Sequence, residues 1–226
     1  MTEERAASGI VSAFAAIPDE TALNYLRKYY GLGAWEGRAY TGSHFDRLPA
    51  TVADRVTADD IVAVACLSIH VPATASVRVL GEQADAIAAL LADVPTTDLE
   101  DIPFEDHDKF FGEGTAAIAL WRMLRNHKGV GQTTASKLMA RKRPGVFPIF
   151  DSVVGRVTGF PNADGTWRAW HQALSGDAAL TDGLRILQKS AGLERISLLR
   201  ILDVVLWMHG TSGIPEQERV DGESGA

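Results

Sequence analysis

The chain has 226 residues, 46% hydrophobic and 23% charged, an ordinary globular balance that excludes low-complexity disorder, collagen and whole-chain coiled coil. Its net charge is −7, with 22 basic against 29 acidic residues, which taken alone argues against a nucleic-acid binder. The single cysteine, Cys66, excludes an intrachain disulfide and a four-cysteine zinc or iron–sulfur site. The most apolar stretch, residues 61–71, is far short of the roughly 20 residues a bilayer span needs, and the acidic start MTEERAASGI is unlike a signal peptide. A cytoplasmic protein with no membrane contact is the expectation.

Apolar residues at i, i+3 and i+4 spacing predict helices over residues 4–15 and 20–30. Residues 29–48 then change character: Tyr29, Tyr30, Trp35, Tyr40 and Phe45 alternate with glycines, with Glu36, Arg38, Ser43, His44 and Asp46 between them. This reads as an ordered loop or short hairpin. Thr57 followed by Asp59 and Asp60 marks a helix start, and DDIVAVACLSIH, apolar nearly all round, reads as a buried helix before Pro72. Helices are predicted near residues 82–92 and 114–126, with PTTDLEDIPFEDHD as a solvated loop between them. Asp106, His107 and Asp108 are consecutive and share no helical face, so no metal site is expected there. Helices follow after Asp151 and near residues 167–174, 181–191 and 196–208. Trp121, Trp167, Trp170 and Trp207 fall at core positions, and Asp203, alone in an apolar helix, is expected to pair with Arg200 or another base. The polar tail, residues 210–226, reads as disordered. The expectation is one mostly α domain of eight to ten helices over residues 1–209.

The charge is unevenly spread. Residues 114–150 contain no Asp or Glu and seven basic residues: Arg122, Arg125, Lys128, Lys137, Arg141, Lys142 and Arg143. Inside this segment Gly129-Val130-Gly131 makes a tight turn after one helix, and another starts at Gln132 or Thr133. Its first amides and the positive end of its dipole suit a phosphate, with Val130 as an apolar pin and Lys128 and Lys137 adding charge. A helix, a glycine turn and a helix with basic flanks hold a nucleic-acid backbone without reading sequence. Asp151 emerges from the apolar run VFPIF. It is either the N-cap of the next helix or a carboxylate that stabilises positive charge on a sugar.

Gly129-Val130-Gly131, Thr134-Ala135, Pro144 and Pro148, Asp151 and Arg156 stand at offsets that resemble the helix-hairpin-helix DNA glycosylases. ACLSIHVPATA is a weaker echo, with His70 in place of the side chain that enters the gap left by a flipped base. The resemblance implies an all-α glycosylase-like domain that binds double-stranded DNA as a monomer and flips a damaged or modified base. It makes Asp151 the catalytic carboxylate. It assigns Lys128, Gly129, Val130, Gly131, Gln132, Thr134, Lys137, Arg156 and His70 to DNA contact. Bifunctional members carry a lysine where Thr133 stands, so Thr133 marks a monofunctional enzyme that uses water. The base pocket falls to the unmatched loop: Tyr30, Trp35, Glu36, Tyr40, Phe45 and Asp46. No iron–sulfur cluster or other cofactor is expected, beyond a monovalent cation at the hairpin when DNA is bound. The competing readings are a non-catalytic DNA-binding protein and a fold relative without DNA function.

Overall fold

The computed structural model describes residues 3–50 and 52–212, and side chains from residue 7 onward. Among them there are thirteen α-helices and no strand. They are α1 (Glu3–Ala15), α2 (Asp19–Tyr30), α3 (Ser43–Arg47), α4 (Ala58–Ala65), α5 (Ala73–Leu80), α6 (Ala84–Asp93) and α7 (His107–Phe111). Then come α8 (Ala116–Arg125), α9 (Gln132–Lys142), α10 (Ser152–Thr158), α11 (Thr166–Gly176), α12 (Ala178–Ala191) and α13 (Leu198–Thr211). Three single 3₁₀ turns, including Gly33–Trp35, punctuate the loops. The all-α expectation holds, and ten of the helices are those the periodicity predicts. No helix among the described residues is long and apolar enough to cross a membrane.

Three short helices escaped the periodicity. α3 and α7 have five residues each, less than two turns, too few to show a repeat. α5 begins directly after Pro72, and that proline, which ends the upstream helical pattern, sets the first turn of a new one. Of the ordered loop or short hairpin expected in residues 29–48, the hairpin does not form. The segment is a 3₁₀ turn and α3, tied to α2 by Tyr40 N donating to Tyr29 O at 3.0 Å and Arg47 Nη2 to Tyr30 O at 2.8 Å. The tail lies outside the described residues from 213 on, and Gly210 and Thr211 finish α13.

Two helices organise the rest. α13 is buried continuously from Leu198 to Leu206, and it packs against α1, α2, α10 and α12. α9 is buried from Thr134 to Lys142, although it is not apolar, and it packs against α4 and α8. α4 is shorter and less enclosed than the sequence suggests: it ends at Ala65, and Val62 is exposed. The chain turns away through Ser68, whose φ of +58° is left-handed, a conformation that costs a non-glycine residue about 1 kcal/mol. The turn aims the Leu67 carbonyl at Lys137 Nζ, 3.0 Å away.

The loop read as solvated holds a buried pair instead. His107 Nδ1 and His171 Nδ1 are 2.9 Å apart, and His171 Nε2 donates to Ile102 O at 2.7 Å. That donation leaves His171 Nδ1 as acceptor and His107 Nδ1–H as donor, so both rings are neutral. Phe104 and Phe111 pack against the pair, while Asp108 reaches out to Arg168. Burial, with help from His171 and Arg168, lowers His107 from 6.5 to about 4, and burial lowers His171 as well. The native state therefore binds fewer protons here than the unfolded chain, and the contribution is full above about pH 6.5 and lost as pH falls toward 4. The denaturation midpoint should drop across that window, and His107→Gln should flatten the drop. An unchanged pH slope in the variant would contradict the assignment.

Candidate functional site

Asp151 ends the apolar segment between α9 and α10. Its carboxylate caps α10 by accepting from Val153 N at 2.7 Å. The segment is held in place from α9: Ser136 Oγ accepts from Phe150 N at 3.0 Å, one residue before the aspartate. Asp151 Oδ2 lies 3.8 Å from Lys137 Nζ, and both side chains are under 10% exposed. Both border a cavity of about 390 Å³ between α9 and α13. Arg38, Tyr40, Thr41, Leu67 and Ser68 form its rim and near wall, and Tyr29, Arg200, Asp203 and Trp207 its far wall.

The far wall is a buried polar network. Arg200 Nε donates to Asp46 Oδ1 at 2.9 Å, Nη2 donates to Tyr29 Oη at 2.9 Å, and Nη1 pairs with Asp203 Oδ2. Tyr30 Oη donates to the other Asp46 oxygen at 2.9 Å. Burial drives the Tyr29 and Tyr30 hydroxyls upward, so both stay neutral, and the surrounding acids hold Arg200 as a cation against its desolvation. Burial also pushes Asp203 up to about 6; Arg200 opposes the shift, and Asp151 and Asp46 add to it. Tyr40 and Trp207 meet edge to face at 5.9 Å, and Tyr29 lies parallel to Tyr40 at 5.8 Å, giving the cavity an aromatic corner.

The hairpin has the expected shape. Gly129 has φ +82°, and a Cβ there would sit 2.9 Å from Pro72. Val130 is buried as the pin, Gly131 N-caps α9, and Ala135 N is the first amide to bond back, to Gly131 O at 3.0 Å. Lys128 and Gly129 are exposed, and Gly131, Gln132 and Thr133 are half-buried. Gln132 Oε1 accepts from Ala163 N at 2.6 Å, so its side chain joins the loop before α11. Thr134 is buried on the inner face of α9.

Several assignments need correction. Lys137, expected on phosphate, is buried in the cavity. Arg156, assigned to DNA contact, is exposed on α10, and the cation beside Asp151 is Lys137. Of the pocket residues, Tyr40 alone borders the cavity. Tyr30 and Phe45 are core residues, because α2 and α3 turn those faces inward. Asp46 is committed to Arg200 and Tyr30. Trp35 packs outside, with Nε1 donating to Asn24 Oδ1 at 3.1 Å and Lys28 over its ring, and Glu36 is exposed. His70 is exposed beyond the Ser68 turn.

The largest correction concerns the basic run. Arg141, Lys142 and Arg143 are buried. Asp60 takes Arg141 Nε at 2.9 Å and Lys142 Nζ at 2.8 Å, and its Oδ2 also caps Thr57 N at 2.9 Å. Most of the remaining donors bind carbonyls, and Arg143 Nη2 also pairs with the Asp54 carboxylate. Arg141 holds Phe45, Leu48 and Pro49, Lys142 holds Val52, and Arg143 holds Ala53 and Leu91. Arg122 pairs with Glu113 at 2.7 Å, so Lys128 and Arg125 are the cations left nearest the hairpin on the surface.

Residues 22–210 match DUF6308, a family of unknown function. The chain belongs to that family. The matched range runs from within α2 to the last turn of α13 and contains every residue of the cavity and the hairpin. No curated protein and no solved structure matches the chain.

Arg200 and Asp203 were not among the predicted site residues. Their signal was present: two charges one helical turn apart in an otherwise apolar helix. Ser136 and Ser68 carry no signal of their own, since each acts through a backbone group. Asp60→Ala would leave Arg141 and Lys142 buried without their counter-ion and should destabilise the protein by about 3–5 kcal/mol. Urea denaturation measures this, and a loss below about 1 kcal/mol, the worth of a surface pair, would contradict the wiring.

Proposed function

We propose that this protein is a monofunctional glycosidic hydrolase that removes a base flipped out of double-stranded DNA. The observation that carries the reading is Asp151: a buried carboxylate beside Lys137 at the wall of a base-sized cavity, one helix away from an exposed glycine hairpin. The first amides of α9 and Lys128 take a phosphate, and the exposed Arg156 and His70 are available to the backbone on either side. The hairpin's backbone carbonyls are hard oxygen donors of the kind a monovalent cation accepts, and the step at Asp151 needs no such ion. The base enters the aromatic corner of Tyr40 and Trp207. Asp151 stabilises the positive charge that develops at C1′ and orients the attacking water. Lys137, with one bond to the Leu67 carbonyl, fixes the carboxylate.

A second reading, a fold relative that binds a small ligand, is favoured by the inward-facing Lys137, Arg141, Lys142 and Arg143, which contribute no contact to a duplex. The two readings part on salt: a phosphate grip must weaken as salt rises, and a small-ligand site need not bind DNA at all.

The test is a panel of duplexes carrying damaged, mismatched or modified bases, treated with alkali to cleave abasic sites. Scission that requires alkali is expected from the wild type. Asp151→Asn preserves the helix cap and should lose at least about 100-fold in rate while binding DNA unchanged. Asp151→Asn at the wild-type rate would remove Asp151 from the chemistry. Absence of both scission and salt-sensitive binding would leave the small-ligand reading.

A further inference from the structure

The cavity contains a second carboxyl with no assigned task. We infer that Asp203 is the general acid of this site, delivering a proton to the ring nitrogen of the departing base while Asp151 attends to the sugar. The inference rests on the hydrolase reading and adds to it the group that makes the base a good leaving group.

Three observations carry it. The first is position: Asp203 on α13 borders the same cavity as Asp151, with side chains 5% and 7% exposed. The second is hydrogen bonding. Asp203 Oδ2 is committed to Arg200, whereas Oδ1 is buried with no hydrogen-bond partner among the described residues. A bare carboxylate oxygen in that position is costly, and a hydroxyl that finds an acceptor on a bound heterocycle is not. The third is charge. The buried groups facing the pair are Asp46 from α3, Asp151 from the segment before α10, Lys137 from α9, Arg200 from α13 itself, and the neutral Tyr29 and Tyr30 from α2, with Arg38 exposed to solvent at the cavity's edge. Three acids meet two buried bases, and one proton balances them. Asp203 is the acid pushed up to about 6, by burial first and by Asp151 and Asp46 next. A carboxyl raised by its surroundings is the kind of group that serves as the acid in such a site.

The step balances. The bond between C1′ and the base nitrogen breaks, its electron pair stays on the nitrogen, and Asp203 supplies the proton there. Asp203 is left as a carboxylate against Arg200. Water adds to C1′, and the proton it releases replaces the one Asp203 gave up. One water is consumed, and a free base and a C1′ hydroxyl are formed.

The experiment is single-turnover base release between about pH 5 and pH 8, on the duplex identified by the panel, for the wild type and Asp203→Asn. The wild-type rate should rise about tenfold for each unit of falling pH above 6 and level off below it. Asp203→Asn should be slower and flat. A carbon NMR titration of the wild-type aspartate carboxyls, assigned through their backbone correlations, needs no variant and should show Asp203 titrating near 6. A sloping profile in Asp203→Asn, or an Asp203 resonance in the ordinary carboxylate range, would overturn the role of Asp203 and leave that of Asp151 standing. No release by the wild type on any duplex would overturn both.

Discussion

The burial of α9 is the constraint on which this structure depends. A helix reading QTTASKLMARK has no apolar face wide enough to justify a central position, yet Thr134 to Lys142 are all buried. Cations taken out of water must be met by carboxylates and carbonyls, and for Arg141 and Lys142 the chain supplies them from one region, residues 45–60. Asp60, itself the capping residue of α4, neutralises Arg141 and Lys142. Carbonyls of α3 and of the segment after it take their remaining donors. The basic residues thus pin α3 and the segment after it, directly following the cavity residues Arg38 to Gly42 in the chain. The same inward turn places Lys137 against Asp151.

The cavity exists because two buried helices of different character face each other across it. α9 contributes Lys137 and, through Ser136, the position of Asp151; α13 contributes Arg200, Asp203 and Trp207. Each charged wall is satisfied from behind, Lys137 by the Leu67 carbonyl and Arg200 by Asp46 and Tyr29. The strained turn at Ser68 and the left-handed Gly129 lie on the path from cavity to hairpin, at Leu67 and against Pro72. A ligand in the cavity and a phosphate on the hairpin would therefore touch one continuous piece of structure.

Periodicity was enough for α2, α8 and α12, which bury apolar stripes, and the near-continuous apolar run was enough for α13. It failed for α3 and α7, which are shorter than the repeat that reveals a helix. The hairpin was legible because glycines, a pinning valine and a helix start are local chemistry. Asp151 as a cap was legible for the same reason. The direction of the basic run was not. Seven cations without an acid look alike in sequence whether they face solvent or carbonyls, and the partner Asp60 lies some 80 residues away. The aromatic loop was overread for a related cause: α2 and α3 turn Tyr30 and Phe45 into the core, while Tyr40 lies between them outside any helix. Arg200 and Asp203 show that a charge pair in an apolar helix points to a buried site, even when its use is set by neighbours far away in the chain.

The central claim is that cavity and hairpin together hold one nucleic-acid ligand. Hydrogen–deuterium exchange with and without a duplex containing an abasic site tests it most directly. The account expects slowed exchange at two places at once, the amides of residues 129–134 and those of residues 66–68, which border the cavity. Protection at neither, or at the hairpin alone with the cavity amides unchanged, would contradict a flipped-nucleotide site.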